Sequence, residues 1–185
     1  MMQITARFGP RRLWAIFLLA SLMLAGAATA QPAALAWTPP AGSFNCGGTW
    51  TVDITTDAGT TDLRGFSLVL EFDNSVIAPL SVSVGPMVSG AACPNFLNWV
   101  ATTGADSLEV DVANLGCSVA GPGTILTVVF DGVLSGTSAI GVRSGMLRTG
   151  SNAPIAFTSS AASVEYDCAV ATEPMAWGAL KAYYR

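Results

Sequence analysis

The chain has 185 residues, carries only 11% charged side chains with acids in excess, and contains no histidine. A nucleic-acid partner needs a basic patch to meet the phosphates, and eight scattered cations against twelve acids supply none. Without histidine the commonest general base and a principal zinc ligand are both missing, which argues against triad hydrolysis and Cys/His metal sites.

Residues 1–30, "MMQITARFGPRRLWAIFLLASLMLAGAATA", have the three parts of an export signal. Arg7, Arg11 and Arg12 form the basic start, and Leu13 to Ala25 the apolar run, shorter than the ~20 residues of a spanning helix. Ala28, Thr29 and Ala30 give the small-x-small cleavage pattern, so a signal peptide is expected to end before Gln31. The exported chain would then lie outside the cell, in a periplasm or on the cell surface, with no transmembrane segment. Its five cations, Arg64, Arg143, Arg148, Lys181 and Arg185, stand against twelve acids, a formal charge of −7.

Residues 31–44 hold three prolines and no charge and read as an extended lead-in. From residue 45 to 168 short alternating segments are broken by Gly, Pro, Asn and Asp, the pattern of an all-β sandwich of about eight to nine strands. In "TWTVDIT", Trp50, Val52 and Ile54 take one face. In "LRGFSLVLEFDNSVIAPLSVSVG", Phe66, Leu68, Leu70 and Phe72 take one face and Ser67, Val69 and Glu71 the other. After the Asp73–Ser75 turn, further strands are expected around Leu80–Val84, Phe96–Thr102, Ser107–Ala113, Thr124–Val133, Ser138–Val142 and Ala162–Asp167. No segment of this domain reads as an amphipathic helix.

Four cysteines in an exported chain favour disulfides, and their wide spacing does not fit a zinc site. Of the three connectivities, Cys93 with Cys117 and Cys46 with Cys168 is preferred, stapling a middle loop and tying the first strand to the last. Residues 169–185 form a C-terminal tail, possible as a short helix, whose Trp177, Lys181, Tyr183, Tyr184 and Arg185 could serve as a recognition tag.

The alternation from Leu63 to Gly85, with Phe72-Asp73, Ser75, Val76, Ile77, Val82 and Val84, is similar to the cohesin family. A second block, "GPGTILTVVFDGVLSGTSAIGVRSGMLRTGSNAPI" at Gly121 to Ile155, resembles that family's order of strands and turns, and "SVEYD" its last strand. The resemblance covers about Asn45 to Cys168. It implies a jelly-roll sandwich related to cellulose-binding modules, whose known task is to hold dockerins, calcium-dependent helical units. In that family the strand before the aromatic-Asp pair brings an amide and an acid to the partner. Gly65 and Ser67 stand at those positions here.

Acids such as Asp106, Glu109 and Asp111, or Glu165 and Asp167, alternate as on a solvated strand surface and do not suggest a glycosidase pair across a cleft. No catalytic residue, metal or cofactor is expected. Two functions follow as expectations. The first is a cohesin-like module holding a protein partner, dockerin-type or other, on a face that includes Ser67, Val69 and Glu71, and linked to polysaccharide breakdown. The second is a carbohydrate-binding or cell-surface structural and adhesion module, for which Trp99 is the exposed aromatic available.

Overall fold

The computed structural model describes residues 31–101 and 106–168. The expected signal peptide and the tail with Trp177, Lys181, Tyr183, Tyr184 and Arg185 lie outside the described residues. Every element belongs to the unit Pro32–Arg185. Among the described residues twelve strands are present: β1 (Ala33–Thr38), β2 (Ala41–Asn45), β3 (Thr49–Thr56), β4 (Leu63–Glu71), β5 (Ile77–Val84), β6 (Asn95–Ala101), β7 (Ser107–Asn114), β8 (Gly123–Gly132), β9 (Gly136–Thr149), β10 (Pro154–Ile155), β11 (Phe157–Ser159) and β12 (Ala162–Asp167). A single helical turn, α1 (Pro86–Ser89), follows β5.

The strands form two sheets. One runs β11-β1-β3-β8-β5, the other β2-β12-β9-β4-β7-β6, with β10 paired to β9. Neighbours are antiparallel except at the two ends of the chain, where β1 pairs with β11 and β2 with β12 in parallel. The all-β sandwich is the expected architecture, with more strands than the eight to nine expected. The difference comes partly from β10 and β11, which are too short to show a period.

It comes also from residues 31–44. That stretch is extended, but it contributes a strand to each sheet and is not a lead-in to them. Ala33, Leu35 and Trp37 of β1 are buried and Phe44 of β2 packs on Tyr166, ring centroids 4.8 Å apart. Pro39 and Pro40 occupy the step between the sheets, where no ladder donor is needed.

The core is assembled by period-two burial from both sheets. Trp50, Val52 and Ile54 of β3 and Phe66, Leu68 and Leu70 of β4 all point inward. Phe130 of β8 is fully buried at the centre, with Trp50 at 6.2 Å and the Phe72 ring edge-on at 5.5 Å. Burying each such side chain contributes about 1.5–3 kcal/mol. Two disulfides close the fold: Cys46–Cys168 joins the ends of β2 and β12, and Cys93–Cys117 joins the approach to β6 to the segment after β7.

The turn after β4 is fixed by side chains. Asp73 Oδ1 accepts from the Ser75 hydroxyl at 2.5 Å and from the Ser75 N–H at 2.9 Å, while the Asp73 N–H donates to the buried Ser138 Oγ at 2.9 Å. Those two bonds from Ser75 hold the Asp73 carboxyl below the ordinary carboxylate range. Among the described residues no helix is long and apolar enough to cross a membrane.

Candidate partner-binding face

The β4 alternation that buries Phe66, Leu68 and Leu70 turns Ser67, Val69 and Glu71 to the opposite side, the outer face of the second sheet. β4 lies between β9 and β7, so these three residues sit at the centre of that face. Ser67 has Met146 on one side and Asp111 on the other, and Val69 lies between Ser144 and Glu109. One strand further out, Asn98 faces Asp111 and Val100 faces Glu109.

The face is therefore a row structure, with apolar side chains set among charged ones. Phe96 is 54% exposed, Val100 51% and Met146 43%, while Leu97 next to Phe96 is half-buried and Leu147 next to Met146 is buried. Glu71 pairs with Arg143 at 3.3 Å; both are half exposed, and such a pair is worth under about 1 kcal/mol. Its role is to fix the positions of the two charges.

The two ends of the face differ in charge. At one end an open hollow of about 580 Å³ is lined by Arg64, Ser67, Phe96, Asp111, Met146 and Arg148. Both arginines are oriented by carbonyls, Arg64 donating to Gly150 O at 3.1 Å and Arg148 to Asn152 O at 2.9 Å. At the other end a hollow of about 540 Å³ is lined by Glu71, Asp73, Asp106 and Arg143. There Asp106 Oδ1 accepts from the Asn74 N–H at 3.2 Å. Among the described residues no group of three Cys, Asp or Glu is placed to hold a metal.

The positions of Ser67, Val69 and Glu71 follow from the β4 alternation. The contributions of Phe96, Val100 and Met146 need the cross-strand register, which periodicity within one strand does not carry. Gly65, at the end of the row, is set against β7: a Cβ there would come within 2.7 Å of the Val112 carbonyl. The close strand packing leaves no room for a side chain at that site. Trp50 is buried; Trp99 is 36% exposed but belongs to the inward-pointing set of β6, opposite Val110, and does not extend the face.

A two-sheet jelly-roll sandwich that presents one flat, side-chain-rich sheet face is the class defined by this geometry. No family model matches the chain, and no curated protein does. Solved structures do. A type II cohesin domain from the cellulosome of Acetivibrio cellulolyticus superposes with a TM-score of 0.63 at 13% identity, covering 72% of this chain and 95% of that one. A non-cellulosomal cohesin from the archaeon Archaeoglobus fulgidus gives 0.62 at 12%, over 74% and 92% of the two chains. The type I cohesin–dockerin complex Coh-OlpA-Doc918 from Clostridium thermocellum gives 0.61 at 14%, over 74% and 100%. The chain has the cohesin fold.

Proposed function

We propose that this chain is an exported, non-catalytic binding module that holds a dockerin-type helical protein on the outer face of β9, β4, β7 and β6. The observation that carries this reading is the face itself. Half-buried Val69 lies between Ser144 and Glu109, exposed Met146 beside Ser67 and exposed Phe96 and Val100 one strand beyond β7, with charged groups of opposite sign at the two ends of the face. Apolar side chains interspersed with polar and charged ones are what a non-obligate protein interface carries. The likeness to structures solved as cohesin–dockerin complexes supports the class of partner. Export is supported by the two disulfides, which persist in oxidising compartments.

Sugar rings stack on coplanar aromatics. Phe96 points outward from β6 while Trp99 belongs to its inward set, so these two rings do not form a platform. This favours a protein over a polysaccharide, and a link to polysaccharide breakdown would run through the partner. Titration of the chain with isolated dockerin modules, with calcium and with a chelator, tests the reading. Calcium-dependent binding weakened more than ~tenfold by Val69→Glu is expected, since a second carboxylate opposite Glu109 would enter the interface without a partner. Binding to insoluble cellulose that is lost on Trp99→Ala, with no dockerin bound, would replace this reading with the carbohydrate-binding one.

A further inference from the structure

The geometry points to a second copy of this chain as the partner of the free edge of β6. This goes beyond the face described above and does not rest on it. Among the described residues β6 ends its sheet, with β7 on one side only. Leu115 N–H donates to Pro94 O at 2.8 Å, which sets the alternation of the ladder: Phe96, Asn98 and Val100 exchange hydrogen bonds with β7, and Asn95, Leu97, Trp99 and Ala101 direct theirs away from it. Among the described residues no backbone hydrogen bond reaches those outward groups of Asn95, Leu97 and Trp99.

Natural sheets blunt such edges with Pro, Lys, bulges or short strands. The other three edges here follow that rule. β5 carries Pro79 and a register shift beside it, β11 has three residues, and β2, five residues long, directly follows Pro39 and Pro40. β6 has seven residues, "NFLNWVA", with no charge, no proline and no register shift. An unprotected edge of this length is suited to strand addition.

The strand is complementary to itself. A two-fold axis at Asn98 in antiparallel pairing opposes Leu97 to Trp99 and Asn95 to Ala101, the residues whose backbone groups are free. The same register sets Phe96 against Val100 on the outer face, an aromatic and β-branched pair of the kind that stabilises antiparallel ladders. Asn98 meets its own copy, where two amides can exchange hydrogen bonds. Charge also permits a second copy. The nearest acids on the face are Glu109 and Asp111 of β7; in the doubled sheet Asp111 stands three strand spacings from its copy, ~14 Å, and Glu109 farther from its own, beyond the screening length in physiological salt.

Cysteine scanning and a charge swap on the full chain test the register. Asn98→Cys is expected to give a covalent dimer on oxidation, with a 98-to-98 peptide in the digest. Phe96→Cys and Val100→Cys are each expected to give none alone, because each lies about 14 Å along the strand from its copy, yet to cross-link when mixed. Sedimentation should show dimer for the wild type. Asn98→Lys, at an exposed position that leaves the core intact, should weaken association by more than ~tenfold, and an equimolar mixture with Asn98→Glu should restore it. A wild-type chain that stays monomeric, a dimer that survives Asn98→Lys, or cross-linking at 96 or 100 alone would overturn the proposal.

Discussion

Removing the Cys46–Cys168 bridge separates what holds the native state from what burdens the unfolded one. In a Cys46→Ser/Cys168→Ser chain the native neighbourhood remains, with the Cys46 N–H donating to Asp167 O at 3.2 Å and β2 still paired along β12. The unfolded chain changes far more, because the bridge spans 122 residues of sequence, against 24 for Cys93–Cys117. Loop-closure entropy assigns about 5 kcal/mol to the long bridge and about 3.5 to the short one. For a domain of this size the long-bridge variant should melt roughly 10–20 °C lower. Urea unfolding in non-reducing buffer, followed by tryptophan fluorescence, should show a lower midpoint. It should also show a steeper m, since the freed unfolded chain exposes more surface. A loss no larger than that of Cys93→Ser/Cys117→Ser, with m unchanged, would refute the entropic account.

Phe130→Ala should cost about 3–5 kcal/mol in the same assay, because it leaves a cavity beneath Trp50 and Phe72. Gly132→Ala should lower the melting temperature, since a Cβ there would run into the Tyr166 ring; the cost of such overpacking is ~1–3 kcal/mol. Asp73 titrates below its ordinary value, so its folded pKa is depressed. Its contribution to stability is present above the unfolded carboxylate pKa and is lost as pH falls through the folded one. Carboxyl NMR titration should place Asp73 below the exposed acids, and Ser75→Ala should raise it; an unchanged midpoint would remove Ser75 as the cause.

Much of the fold can be read from strict alternation where the two faces differ in chemistry. Along β3 and β4 the largest apolar residues face in and, Val69 apart, Thr, Ser, Asp or Glu face out, and burial follows that order. β1 alternates just as regularly, with Ala33, Leu35 and Trp37 buried, but Ala34 and Ala36 on its other side are also apolar and hide the period. Two prolines in the following step then make the stretch look like a linker. The candidate face is partly legible for the same reason. Ser67, Val69 and Glu71 are defined by their own strand, whereas Met146 and Phe96 join them through pairings 79 and 29 residues away from Ser67. Such register is set by the packing of the whole sandwich.

The parallel pairs at the chain's two extremities order its assembly in time. β1 and β2 are the first of the described strands to be made, yet each takes a neighbour, β11 or β12, from the last residues described. β2 in particular has no other strand beside it until Ala162–Asp167 arrives. A growing chain can form the β3–β8 and β4–β7 ladders early, but one sheet waits for Phe157–Ser159 and the other for Ala162–Asp167. Contacts of such sequence separation are slow to form. The domain therefore reaches its native state only once Ala162–Asp167 has been made, and removing the final dozen described residues would uncover β1 in one sheet and β9 in the other and part β2 from β12.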